Sequence, residues 1–355
     1  MTPRSVMALA AATALSVAAA AVSLNANQGY TTIGGSGFLF PGLMDKVDTV
    51  TKVTVNDKDQ EIVMIRTEAG RWQIPASDGY SASVSQVQKS ILQVAQLVYL
   101  EKKTANVKRY DRLHLEDLKR SDSQARRIRL FEADGAVLAD LIVGKKRYNL
   151  PGTITEGAYI RKPADPQTWL ASGEIDVEVE LKTWLRNSIL NIREEDVLSA
   201  EIRHPGGEVV RISKENTKDR NFTLHDIPEG KKLRYESDPD NIANVVEDLE
   251  MLDARRADKV DFAADKTVTG TYTSRSGLIA VVSAVKVGED DWVKVKLTAK
   301  PDAQTTKEKG RESAAKIAEQ VTDRTDGWAF KVPSFKAERL RRGTREMLVD
   351  KEAGS

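Results

Sequence analysis

Glu61-Ile62-Val63-Met64-Ile65 and, in the second half of the chain, Glu208-Val209-Val210-Arg211-Ile212 are the stretches whose reading decides the fold. Each is short, rich in β-branched and apolar residues, and reached from an alternating run through a polar turn, which is the pattern of paired strands. Before the first come Val50, Val53 and Val55, then Asn56-Asp57-Lys58-Asp59. Before the second come Leu198, Ala200 and Ile202, then His204-Pro205-Gly206-Gly207. A third short strand follows in each half: Arg71-Trp72-Gln73-Ile74 ending at Pro75, and Phe222-Thr223-Leu224 ending near Pro228.

Helices come next in both halves. Ser81 or Ser83 caps a helix with Val84, Val87, Ile91, Val94 and Val98 on one face, and Asp238-Pro239 starts another with Ile242, Val245, Val246, Leu249 and Leu252 facing inward. More strands follow: Arg129-Leu130-Phe131, Val137 to Gly144, Ala158 to Arg161 and Thr168 to Leu170 in the first half. Gly270 to Tyr272, Leu278 to Gly288 and Trp292 to Leu297 answer them in the second. The expected fold is α+β: two tandem related units of antiparallel sheet with packed helices, preceded by an N-terminal apolar segment. The boundaries are 1–26 for that segment, 27–48 for a flexible tether, 49–175 for the first unit and 176–196 for a connecting helix through Leu181, Trp184, Leu185, Ile189 and Leu190. The second unit is 197–300, and 301–355 is a charged helical extension with one strand, Gly327 to Pro333.

The apolar segment runs uncharged from Val6 to Leu24 and as a helix reaches about 28 Å, close to the roughly 30 Å of a bilayer's hydrocarbon core. Arg4 is the only charged side chain before it, and the first Lys or Arg after it is Lys46. Its mature form is either a retained inner-membrane anchor, N-terminus cytoplasmic and body periplasmic, or a signal peptide cleaved after the small residues Ala18 to Ala21. Gly29 to Gly37 then reads as a tether. Across 355 residues, 54 basic and 53 acidic side chains give a net charge of +1, so no long-range field draws nucleic acid to the chain. The absence of Cys excludes disulfides, thiolate metal sites, a Cys nucleophile and N-terminal lipidation of Cys.

No catalytic, cofactor-binding or metal-ligating set emerges. His114, His204 and His225 have no metal spacing, no G-x-S-x-G elbow occurs, and the Gly34 to Gly37 cluster lacks the Lys and helix of a phosphate loop. Glu194-Glu195-Asp196 and Glu289-Asp290-Asp291 are adjacent carboxylates that a turn points apart, and Asp238-Pro239-Asp240-Asn241 lacks the Gly and Glu of a calcium loop. The five Trp residues fall in or beside expected elements and read as core. Arg126-Arg127, Lys145-Lys146-Arg147 and Arg255-Arg256 read as solvated faces. Arg339, Arg341 and Arg342, on a basic helix from Arg339 to Leu348, are candidates for contact with a partner or a membrane headgroup.

Five stretches together resemble the domain-of-unknown-function 4340 family of bacteria: the apolar N-terminal segment, Leu39-Phe40-Pro41-Gly42-Leu43, Trp72-Gln73-Ile74-Pro75, Tyr159-Ile160-Arg161 with Trp169-Leu170, and Trp184-Leu185 with Ile189-Leu190. The resemblance implies a single-span envelope protein working beside an ABC-type transport system of the gliding-motility auxiliary kind, with permease and ATPase as separate partners. It carries no catalytic residue across. The function expected is that of a non-enzymatic accessory or scaffold protein. The alternative is a binding module holding a lipid, glycan or peptide in the groove between the repeats.

Overall fold

Strands dominate wherever period two governs the sequence. A computed structural model describes residues 37–150, 156–216, 219–300 and 312–351. The Val6 to Leu24 segment and most of the Gly-rich tether lie outside the described residues. Among those described, no helix is long and apolar enough to cross a membrane.

In chain order the first elements are β1 (Lys52–Asn56), β2 (Glu61–Arg66), β3 (Trp72–Ile74), β4 (Tyr80–Ser81), α1 (Val84–Gln96) and β5 (Val98–Lys102). Then come β6 (Arg126–Phe131), β7 (Val137–Arg147), β8 (Gly157–Arg161), β9 (Thr168–Ser172), α2 (Leu181–Trp184) and β10 (Ser188–Leu190). The second half holds β11 (Val197–Arg203), β12 (Val209–Ser213), β13 (Thr223–Leu224), β14 (Lys231–Leu233), α3 (Asp238–Ala243), β15 (Leu249–Glu250) and β16 (Asp253–Arg256). It ends with β17 (Val268–Ser274), β18 (Leu278–Val287), β19 (Asp290–Ala299), α4 (Ala314–Thr325), β20 (Trp328–Val332), α5 (Ser334–Arg341), α6 (Thr344–Met347) and β21 (Leu348–Asp350). The architecture is mixed α+β with mostly antiparallel sheet.

Two compact units divide the chain: described residues up to 61 with 88–179, and 62–87 with those from 180 on. In the first, antiparallel neighbours run β1-β6-β7-β8-β9-β5, with β1 and β6 registered Val53 to Leu130 and Val55 to Ile128. Val53, Val55, Ile128, Leu130, Leu141 and Ile160 are buried, so alternate positions of successive strands supply one face of the core. Gly37–Leu39 lies along the outer edge of β5. Tyr99 N donates to Gly37 O at 3.1 Å and Leu39 N to Leu97 O at 2.8 Å, which covers an otherwise open strand edge.

In the second unit the order is β13-β12-β11-β17-β18-β19-β20-β16. From the strand before the first hairpin outward, this matches the first unit: β11-β17-β18-β19-β20-β16 beside β1-β6-β7-β8-β9-β5. In both, the strand that directly precedes β6 or β17 closes the far edge. The strand pair β18 and β19 is registered over ten residues from Leu278 opposite Ala299 to Val287 opposite Asp290. Along β17, burial alternates strictly, and Gly270 is there because a Cβ would come within 2.7 Å of Leu340, 2.8 Å of Tyr272 and 2.9 Å of Ile202.

Segment 62–87 belongs to the second unit, although a linear reading assigns it to 49–175. Ser77 Oγ donates to Asp253 at 2.7 Å, Lys259 pairs with Asp78 at 2.6 Å, and the Tyr80 ring meets Trp328 edge-on at 4.8 Å. The helix expected across 176–196 shrinks to the single turn α2, followed by β10 paired with β15. Trp184, Leu185, Ile189 and Leu190 are all buried, so their apolar spacing reflects burial on every side rather than one helical face.

The second expected inner-face helix is also shorter. After α3 the chain tightens to a 3-10 turn at Asn244–Val246 and extends at Leu249, while Ile242, Val245, Val246 and Leu249 stay buried. Ser237, not Asp238, precedes its first turn. Val98, expected on the first helix, opens β5 instead, and the helix is capped by Ser83 Oγ accepting from Gln86 N at 3.4 Å. The basic helix expected from Arg339 to Leu348 breaks at Arg342 and Gly343 and finishes as β21, paired with β14.

Candidate functional site

A cavity of about 400 Å³ opens in the first unit between the Asp57-Lys58 turn, the Ser123–Arg126 segment, the middle of β7 and residues 175–177. Gly144 makes it possible: a Cβ there would collide with the carbonyl oxygens of Leu113 and His114, so only glycine lets that loop cross β7. His114 ends the 3-10 turn Val107–Leu113 in the left-handed region, φ 56°. Its burial, aided by the Lys145 charge and opposed by Glu116, pushes the imidazole below its ordinary pKa. Near neutral pH it is therefore an uncharged imidazole.

The cavity's cations are already engaged. Lys146 pairs with Asp176, Lys58 with Asp59 at 2.7 Å, and Arg126 Nη1 donates to Val177 O at 2.8 Å. Burial works against the Lys146 charge, but Asp176 outweighs it and its pKa rises. Such a lining suits a small polar ligand that exchanges with internal partners. It supplies no nucleophile with a base beside it. A second cavity of about 460 Å³ lies in the second unit at the start of α1, bordered by Ser83, Gln86, Lys182, Asn187, Glu250 and Met251.

The other sequence candidates fall elsewhere. Ser213 Oγ and exposed His225 Nε2 are 2.6 Å apart, a serine–histidine contact that the sequence reading did not foresee, yet among the described residues no carboxylate is bonded to the ring, and the histidine faces solvent. Glu194-Glu195-Asp196 forms a 3-10 turn in which Arg193 pairs with Glu195 and Asp196, while burial raises the Glu194 pKa. Asp290 pairs with Lys331 at 2.6 Å and buried Asp291 with Arg341 at 2.5 Å. Asp240 accepts from Phe222 N at 2.7 Å and Asp238 pairs with Arg342 at 2.5 Å, so the calcium-like run is spent on internal bonds. Among the described residues no group of three or more His, Asp or Glu side chains is gathered as metal ligands.

Arg339, Arg341 and Arg342 are each held internally: Arg339 by Asn244 Oδ1 at 2.6 Å, Arg341 by Asp291 and Arg342 by Asp238. Any outside partner must compete with these bonds. Arg127 makes a two-bond fork with Asp140 at 2.7 and 2.6 Å, and Arg255 and Arg256 stack on Trp292 and Trp328 at 4.9 and 4.1 Å, so these clusters are more than solvated faces. Sequence reasoning also missed Lys336, buried beside Asn244 O and Glu247 O, since nothing local distinguishes it from a surface lysine.

The family model for a domain of unknown function, DUF4340, matches residues 72–269. The chain belongs to the DUF4340 family. Neither the curated proteins nor the solved structures give a match. In this DUF4340 chain the matched span starts at β3 and ends within β17, so it takes in the 400 Å³ cavity's β7 wall and stops short of β18, β19 and β20.

Proposed function

We propose that this chain is a non-enzymatic, membrane-anchored periplasmic accessory protein, whose internally duplicated body scaffolds an ABC-type envelope transport system. The observation that supports the reading is the hydrogen bonding of Gly37–Leu39 along β5, which holds the start of the described body against a strand edge. The shared strand order of the two units supports duplication, and the many reactive side chains spent on internal ion pairs suit a rigid body more than a catalyst. ATP hydrolysis then belongs to a separate subunit, and translocation to a separate permease.

Affinity purification from mildly solubilised membranes tests this. Co-recovery of an ABC permease and ATPase is the expected result, and recovery of the chain alone overturns it. Sequencing the mature N-terminus separates anchor from cleaved signal: a start near Asn25 or Asn27 makes the body a soluble periplasmic one. A second reading, a binding module for a lipid, glycan or peptide, is favoured by the 400 Å³ cavity inside the first unit. Native mass spectrometry of the purified chain checks it by looking for a co-purifying ligand lost in Gly144→Leu.

A further inference from the structure

Where Gly37–Leu39 joins the edge of β5, the outer surface of the first unit carries aromatic rings and one lysine in contact with one another. Phe38 is 50% exposed and Met44 39% exposed. Lys162 Nζ lies 4.8 Å from the centre of the Phe40 ring and 5.8 Å from that of Tyr99, and Tyr99 meets the Trp169 ring at 4.6 Å. Phe40, Tyr99, Trp169 and Lys162 are only half-buried, so they present both ring surface and charge outward. No described carboxylate pairs with Lys162. Asp165 lies on the lysine's own turn, and Glu101 on the neighbouring β5 is taken by Lys103 at 2.6 Å.

Trp, Tyr and Phe beside a snorkelling lysine are the residue types that settle at the headgroup level of a bilayer, where the ring bodies leave water and the cation stays among phosphates. Proximity favours that occupant. Twelve residues, Asn25 to Ser36, separate Leu24 from Gly37. Even at full extension a chain of that length spans only about 40 Å. An anchor ending at Leu24 therefore holds this patch at high effective concentration over the membrane, so weak contacts suffice. We infer that the patch formed by Phe40, Tyr99, Trp169 and Lys162, flanked along the chain by exposed Phe38 and Met44, docks on the anionic headgroup surface of the membrane in which the chain is anchored. The inference rests on the anchored reading above.

The chain has no Cys, so a single introduced thiol reports one position. Full-length F38C carrying a nitroxide is compared in amphipol and in phosphatidylglycerol-containing vesicles, reading collisions with oxygen and with a water-soluble nickel chelate. The ratio of oxygen to nickel collisions should rise several-fold in the vesicles, M44C should follow it, and Lys162→Glu should reverse most of the rise. M44C also serves if F38C fails to fold. A chain that floats with vesicles while both labels remain as water-exposed as in amphipol overturns the docking and leaves the anchor standing. Failure to float overturns both. Protection that appears only when transport partners are added puts a protein on the patch and overturns the lipid assignment.

Discussion

Lys336 has been taken almost wholly out of water and given three acceptors: Asn244 O at 2.7 Å, Asn244 Oδ1 at 3.1 Å and Glu247 O at 2.6 Å. Burial, with Arg339 nearby, pulls its pKa below the ordinary lysine value, and the carbonyls at the end of the 3-10 turn repay part of that cost. Lys336→Met takes its donor from Glu247 O, while Asn244 Oδ1 keeps Arg339 and Asn244 O keeps Glu247 N, and should cost about 2 kcal/mol in urea unfolding, the range of an unsatisfied buried polar group. Asp291 is more demanding, since its side chain is fully buried and one oxygen, Oδ2, has no hydrogen-bond partner. Arg341→Leu strands that carboxylate and should lower stability by about 3 kcal/mol, whereas adding Asp291→Leu should recover most of the loss. A double-mutant cycle by chemical denaturation reads the difference. An Arg341→Leu chain as stable as the parent would mean that Arg341 is an ordinary surface residue.

At the scale of elements, close approach and titration set the constraints. Helix α5 rests on β17 where Gly270 leaves room for Leu340, so Gly270→Ala should cost roughly 1–3 kcal/mol through overpacking, seen as a lower thermal midpoint. The loop ending at His114 carries a pH signature. Its folded pKa lies below 6.5, so between those two values the unfolded chain holds a proton that the folded chain rejects. Its stability contribution is intact above 6.5 and is lost as pH falls through the folded value. Denaturation midpoints measured from pH 7.5 down to about 5 should therefore fall less steeply in His114→Gln than in the parent.

For the whole molecule, the C-terminal segment belongs to the second unit's sheet. Strand β20 lies between β19 and β16, Thr322 on α4 donates to Leu297 O at 3.2 Å, and β21 pairs with β14. A chain ending at Lys300 leaves β16 without its neighbour and opens the face covered by α5 and its Leu340. Hydrogen exchange should show lost protection in β17, β18 and β19 with little change in β6 to β9. Unchanged protection in β17 to β19 would make residues after 300 an appendage, as a reading of their charge suggests.

Strands were legible because one-face burial writes period two into the chain: Val53, Val55, Ile202, Val210 and Ile212 are buried where alternation puts them. Turns were legible because Gly135, Gly206, Gly207 and Gly277 take positive φ that side chains resist. The linker near Trp184 was misread because residues buried on all sides carry no period. The cavity was invisible in sequence, since its lining comes from five separated segments and Gly144 announces itself only through the carbonyls it admits. The sequence by itself determined the mixed α+β class, the hairpins at β1–β2 and β11–β12 and the apolar composition of the N-terminal run, because these follow from neighbours along the chain. Only the tertiary structure decided that 62–87 packs with the second unit, that Arg341 and Arg342 neutralise Asp291 and Asp238, and that aromatic rings gather around Lys162. Burial and charge pairing are set by distances in space, which local periodicity does not encode.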